Sequence, residues 1–220
     1  MKKIGIELEF FIKNSDEYVP AYKHTINMDG NPVVGEIKTD IHDNIVDCVY
    51  DLKKRIFLEK TELAKIGLTL ELIPEIEVSE EFVKSLREDE NFVNSKHFEV
   101  LKELSIYGKK TGKILPRKKY KAALQINISD NKTFDYYEYT KNQIKEEYEY
   151  IGNRKIIDYS SIFDYVSIIR NLDILFKKEI KDTKRIPGVY CIKDGELGKR
   201  IEYRSLPNNV DINTLLKIEF

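Results

Sequence analysis

Gly198-Lys199-Arg200-Ile201-Glu202-Tyr203-Arg204-Ser205-Leu206-Pro207 alternates charged and apolar residues with a period of two. That is strand periodicity: Arg200, Glu202 and Arg204 share one face, Ile201 and Tyr203 the other. A face of Arg-Glu-Arg is costly on a sheet unless water, a metal or an anion satisfies it. At the opposite end of the chain, Ile4-Gly5-Ile6-Glu7-Leu8-Glu9-Phe10-Phe11 repeats the pattern with acids. There Glu7 and Glu9 share a face against Ile6, Leu8 and Phe10. Carboxylates on one strand and guanidiniums on another suggest a site that binds a divalent metal and a phosphate.

The 220 residues suffice for one good core. Charged residues make up 34% of the chain, yet 37 basic against 38 acidic leave a net charge of −1. That balance argues against general nucleic-acid or membrane-surface binding, whose affinity needs a basic excess. Cys48 and Cys191 have no CxxC and no metal-like spacing, and so few cysteines fit a reducing compartment. Met1-Lys2-Lys3 runs into a strand-like segment without an apolar core, so no signal peptide is expected. No run reaches the ~20 apolar residues of a membrane span. The expectation is a cytoplasmic protein with a single domain over residues 1–220.

Lys3 to Ile12 predicts a first strand and Glu17 to Met28 a second, less regular one. Asp29-Gly30 is a hairpin signal, and Val33 to Ile37 completes an expected three-stranded antiparallel meander. Glu36, at its end, is either a solvated strand end or a third acid of the site. From Asp43 to Ile66 the period becomes helical: Ile45, Val49, Leu52, Ile56, Leu63 and Ile66 form one stripe, with Gly67 as the stop. Leu68 to Leu72 reads as a strand closed by Pro74. Ser79 caps a helix carrying Phe82, Val83 and Leu86. Ser95 caps another carrying Phe98, Leu101 and Leu104.

Gly108-Lys109-Lys110-Thr111-Gly112-Lys113 resembles a phosphate-binding loop, but its glycines are one residue too close. Ile114 also stands where Ser or Thr must hold magnesium, so a basic loop is expected instead. From Lys121 to Ser129, Ala123, Gln125, Asn127 and Ser129 share one face against Leu124, Ile126 and Ile128. Amides on the inner face of a strand belong with the acidic strands. The Tyr-rich segment 134–150 lies in a stretch, 130–157, expected to be an insertion or lid. Ser161-Ile162-Phe163-Asp164 opens a helix through Ile180, with Ile162, Val166, Ile169, Leu172, Leu175 and Phe176 inward. The loop Arg185 to Tyr190 leads to the Arg-Glu-Arg strand, and Val210 to Phe220 forms a short closing helix or tail.

His24, His42 and His97 are isolated, and Asp40-x-His42-Asp43 sits at a helix start, where acids favour the helix dipole. Neither Ser-His-Asp nor Cys-His chemistry is defensible. Arg117-Lys118-Lys119-Tyr120-Lys121 is expected to be solvated surface.

The polar strand residues are therefore Glu7, Glu9, Glu36, Gln125, Asn127, Arg200, Glu202 and Arg204, with Arg185 on the loop. Clustered carboxylates repel one another unless cations sit between them, and arginines clamp phosphate bidentately. Four stretches of the chain resemble a family. Glu7-x-Glu9 is similar to the first-strand motif of the glutamine synthetase / glutamate–cysteine ligase superfamily. Gln125-Ile126-Asn127-Ile128-Ser129 resembles its middle strand, and Arg185 to Tyr190 its Arg- and Gly-containing loop. Glu202-Tyr203-Arg204 with Pro207 resembles its final strand. In size and order of motifs the chain looks most like the phage-type carboxylate–amine ligases.

That resemblance implies an α+β fold: a curved antiparallel sheet with the site on its concave face and helices on the convex face. It implies an ATP-dependent ligase using Mg²⁺ or Mn²⁺, which joins a carboxylate to an amine through an acyl phosphate. The substrates would be small molecules or peptides, with no nucleic acid and no membrane. The location would be cytoplasmic, in the host if phage-encoded, and a homo-oligomer stays open. Carried over by residue, Glu7, Glu9, Glu36 and Glu202 would hold metal. Arg200, Arg204, Gln125 and Asn127 would bind the nucleotide, and Arg204 and Arg185 would act in catalysis. Two departures stand out: Gln125 occupies a place where the family has a histidine, and Cys191 one where arginine is frequent. They leave a second possibility, a catalytically degenerate binding or virion-associated protein on the same scaffold.

Overall fold

In the computed structural model the acidic opening stretch forms one long strand, β1 (Lys3–Asn14), on which the pairings of both halves of the protein are built. The structure describes residues 3–27, 31–90, 92, 116–129, 149–151, 154–156, 164–195 and 198–219. In chain order there follow β2 (Glu17–Val19), a 3-10 turn (Ala21–Lys23), β3 (Gly35–Lys38), α1 (Ile45–Lys65), β4 (Leu68–Glu71), β5 (Glu75–Glu77), α2 (Glu80–Glu88) and β6 (Lys119–Lys121). Then come β7 (Ala123–Ser129), β8 (Glu149–Ile151), β9 (Arg154–Ile156), α3 (Asp164–Leu175), α4 (Lys177–Asp182), β10 (Val189–Gly195), β11 (Gly198–Pro207) and a last 3-10 turn (Ile212–Lys217). This is a mixed α+β fold with an antiparallel sheet. Two compact units make it up: Met1–Leu8, Lys38–Arg55 and Ala123–Phe220 form the first, Glu9–Ile37 and Ile56–Ala122 the second.

In the first unit the sheet runs β1-β7-β11-β10-β9-β8, antiparallel at each of these pairings. β7 is the centre of the site region, and all its residues but Ser129 are buried. The free edge of β1 is taken by the segment after β3: Thr39 N–H donates to Ile6 O at 2.9 Å, and Ile4 and His42 exchange backbone bonds at 2.9 and 2.8 Å. α4 packs on β11, and α3 packs on α4. Ile45, Cys48, Val49 and Leu52 bury the stripe of α1 expected from its 3.6-residue period.

The second unit pairs the far end of β1 with β2 and with β4. Ser79 caps α2 by accepting the Phe82 N–H at 3.1 Å. An apolar core gathers Phe11, Val33, Val34, Ile76, Val83 and Phe92, among others. Gly67, at φ 77°, ends α1 in a conformation that favours glycine.

Several expectations change. The second strand stops at Val19, because Pro20 is followed by a 3-10 turn. β3 pairs with β1 and not with β2, so the opening is not a meander. The helix expected through Ile180 is two helices, α3 and α4, interrupted at Phe176. Ile66, placed on the buried stripe of α1, is 60% exposed beyond the helix end. The stretch between Val189 and Gly195 is a strand that the sequence pattern did not flag. Asp29-Gly30, the helix from Ser95, the Gly108–Lys113 loop, residues 134–148 and the capping residues Ser161 to Phe163 lie outside the described residues. No helix among the described residues is long and apolar enough to cross a membrane. Cys48 and Cys191 are buried thiols, not a disulfide.

Candidate functional site

β1, β7 and β11 come from the start, middle and end of the sequence, yet they are consecutive strands of one sheet. Their register lines up the polar residues. Gly5 lies opposite Asn127, Asn127 opposite Glu202, and Glu202 opposite Cys191. Glu7 lies opposite Gln125. On β11, Tyr203 pairs with Ile126 but Leu206 with Leu124, so β11 carries one extra residue. This bulge sets Arg204 and Ser205 together against Gln125. Bulges next to sites re-aim side chains in this way.

The result is a buried charged face. Glu202 is 0% exposed, Gln125 1%, Glu7 7% and Asn127 9%. Glu202 Oε1 accepts from Arg204 Nη1, and the Cys191 thiol donates to the same oxygen at 3.4 Å. Glu7 Oε1 accepts the Asn127 amide at 3.2 Å and lies 3.6 Å from Arg200 Nη2. Lys38 Nζ stands 3.9 Å from its other oxygen. Two buried carboxylates, each offset by a guanidinium, are thus divided between β1 and β11. Removing one partner of such a pair leaves an uncompensated buried charge and costs about 3–5 kcal/mol.

Asn127 and Arg200 each bring an atom with unused capacity to this face. Asn127 Oδ1 and Arg200 Nε are buried and make no hydrogen bond among the described residues. One seeks a donor or a cation, the other an acceptor. Both residues line an open cleft of about 520 Å³ whose floor is Gly5 and whose far wall is Lys38 and Thr39. A Cβ on Gly5 would meet Thr39 Oγ1 at 3.8 Å and Asn127 Cβ at 3.9 Å, ordinary contacts, so glycine here leaves the floor low. Asp51 on α1 steadies that wall by accepting the Asp40 N–H at 2.8 Å and bonding His42 Nε2 at 3.2 Å. Burial pushes the Asp51 carboxyl up, but Arg55, the Asp40 amide and His42 outweigh it and hold its pKa below the usual value. Burial first, with the Asp51 charge adding to it, raises the Cys48 thiol to about 11 against the Thr39 hydroxyl 3.4 Å away and the Ile6 backbone, so Cys48 is no nucleophile.

Of the residues singled out from sequence, six converge here: Glu7, Gln125, Asn127, Arg200, Glu202 and Arg204. Arg185 reaches the same strand by a different route, donating to the backbone carbonyl of Arg204 at 3.5 Å. Glu9 and Glu36 belong to the second unit, each buried, and the Glu36 N–H donates to Asn27 O at 3.0 Å. Among the described residues no group of three or more His, Cys, Asp or Glu side chains is placed to hold a metal ion.

Lys38, Cys191 and Glu59 were not anticipated. In the sequence Cys191 stands out only as a departure from the family's pattern. Glu59 is a buried acid of the second unit that accepts the Asn27 amide at 2.6 Å. A signal for it existed, because Glu59 sits on the stripe of Ile56 and Leu63, where a charge is out of place. Compared with family models and with curated proteins, the chain matches none.

Proposed function

We propose that the first unit carries the nucleotide and metal face of an ATP-dependent carboxylate–amine ligase. The observation behind this reading is the adjacency of β1, β7 and β11. Three motif strands far apart in sequence meet in one sheet, and their acids, amides and guanidiniums share one buried face. The curved, glutamine synthetase-like sheet with a concave site belongs to the same proposal. The γ-phosphoryl group of ATP passes to a substrate carboxylate, releasing ADP, and an amine then displaces phosphate to form the amide bond.

The residues present fit a hard divalent cation. Glu7, Glu202 and the unsatisfied Asn127 Oδ1 are oxygen donors, and magnesium commonly takes only one or two carboxylates alongside substrate phosphates. Bound there, Mg²⁺ or Mn²⁺ would neutralise phosphate charge. Arg200 offers a buried Nε–H to an oxyanion, and Arg204 a guanidinium beside Glu202. The Gln125 amide, opposite Glu7, orients rather than titrates. Glu9 and Glu36, further ligands by the resemblance, are buried acids of the second unit.

The test is nucleotide binding followed by turnover. With Mn²⁺–ATP at ~100 times its dissociation constant, the folded state should gain roughly 2.7 kcal/mol. Glu202→Ala and Arg204→Ala should abolish that gain, and ADP should appear with some member of a panel of amino acids, peptides and amines. No stabilisation by Mn²⁺–ATP in the wild type would sink the reading. A second reading, a catalytically silent binding protein on this scaffold, draws on the mutual neutralisation of Glu202 and Arg204. It predicts nucleotide binding at most, with no ADP from any substrate pair.

A further inference from the structure

The opposite face of β11 carries a second buried polar group that the proposed chemistry does not use. Tyr203 alternates away from Glu202 and Arg204, and its hydroxyl donates to Asp173 Oδ1 on α3. Ser205, the other residue of the bulge, accepts the Val189 N–H at 2.9 Å and also bonds the Tyr203 side chain. The Gly188 amide, at the head of β10, favours the Asp173 carboxylate from the other side. Asp173, Tyr203 and Ser205 are 8%, 0% and 1% exposed, so none of them meets solvent or substrate directly.

A bulge interrupts the hydrogen-bond ladder and leaves the strand locally soft. Here the interruption falls at Arg204 and Ser205, where the aim of the site arginine is decided. We infer that Asp173, Tyr203 and Ser205 form a buried strut that fixes the β11 bulge and so positions Glu202 and Arg204 on the other face. They are positioning residues, and this role rests on reading that other face as the nucleotide site. Without the Tyr203 hydroxyl, Asp173 loses its side-chain donor in an apolar setting, and the strand loses its tie to α3.

Cys191 offers a local readout, because its thiol lies against Glu202 Oε1, while Cys48, also buried, reports on the same unit away from the bulge. Thiol labelling resolved by residue in the mass spectrometer should show Cys191 reacting about tenfold faster or more in Tyr203→Phe and Asp173→Ala, as expected for one lost buried hydrogen bond. Cys48 should keep its rate within about twofold. Asp173→Asn, which still accepts from Tyr203, should stay near wild type at both cysteines. Should Asp173→Ala fail to fold, Ser205→Ala carries the same expectation. Unchanged Cys191 labelling, or parallel acceleration at both cysteines, would overturn the strut. Where the wild type binds Mn²⁺–ATP, unchanged affinity in Tyr203→Phe would overturn the positioning role as well. A wild type that binds no nucleotide removes the ligase reading and leaves the labelling to decide the strut alone.

Discussion

Two pieces of this protein share one sequence pattern and put it to opposite physical ends. The β5–β6 ribbon alternates Glu75-Ile76-Glu77 against Lys119-Tyr120-Lys121, and β11 alternates Arg200-Ile201-Glu202-Tyr203-Arg204. Both bury their apolar residues: Ile76 and Tyr120 in one, Ile201 and Tyr203 in the other. The difference lies on the charged side. In the ribbon, Glu75 pairs with Lys121 at 3.5 Å and Glu77 with Lys119 at 3.3 Å, with all four side chains at least 43% exposed. In β11, Glu202 is fully buried and Arg204 nearly so. Alternation reports that a strand has two faces, and only its neighbours decide whether the charged one is wet. A dry charged face is expensive, so it is the one that points to a site.

The largest effect should come from breaking the dry pair. Glu202→Ala leaves Arg204 buried without its carboxylate and should cost about 3–5 kcal/mol in denaturant unfolding. Replacing both residues together, Glu202→Leu with Arg204→Met, should restore most of that stability while leaving nucleotide binding absent. A double variant that unfolds as readily as Glu202→Ala would show that the pair holds the fold and not only the site.

Asp173 tests a buried charge with no cation beside it among the described residues. Its carboxyl is raised to about 6, by burial first, with the Tyr203 hydroxyl and the Gly188 amide opposing. A folded pKa above the unfolded value of 3.8 means that the native state binds the proton more tightly. The stability cost is therefore present in full above about pH 6 and is relieved as pH falls from there toward 4. The span is up to roughly 3 kcal/mol, since each pKa unit is worth 1.36 kcal/mol. Urea unfolding of wild type and Asp173→Asn at pH 4.5 and 7.5 isolates this group. The wild type should gain on the variant as the pH drops, and a difference independent of pH would refute the assignment.

The sequence made β1, β7 and β11 legible because a period of two survives in each of them. It also placed Glu7, Asn127, Glu202 and Arg204 on their correct faces. Their adjacency in one sheet is a tertiary fact that no local pattern encodes, and the bulge opposite Gln125 is invisible for the same reason. β10 escaped notice because Tyr190 and Cys191 are both buried, so its two faces do not contrast. The break at Phe176 was hidden by spacing: Leu172, Phe176 and Ile180 stay four residues apart, and the N–H of each bonds the carbonyl of the one before at 3.0 Å. Asp173 was readable in principle, as a lone acid inside the stripe of Ile169, Leu172 and Phe176. A stripe defined by its apolar members alone passes over it.

The smallest effect belongs to the wet ladder, and it sharpens the contrast most economically. Glu75 and Lys121 face each other across two short strands, where opposite charges are worth only a few tenths of a kcal/mol to about 1 kcal/mol. Both heads stay in water, so desolvation costs little, and salt screens what attraction remains. A double-mutant cycle with Glu75→Ala and Lys121→Ala should return a coupling in that range, falling further at 1 M salt, where the screening length is about 3 Å. The Glu202–Arg204 cycle, run beside it, should give a larger coupling that salt moves far less, because a pair whose carboxylate is buried to 0% exposure is screened less than one in water. Equal salt sensitivity in the two cycles would mean that water reaches Glu202, and the dry face would lose the feature that marks it as a site.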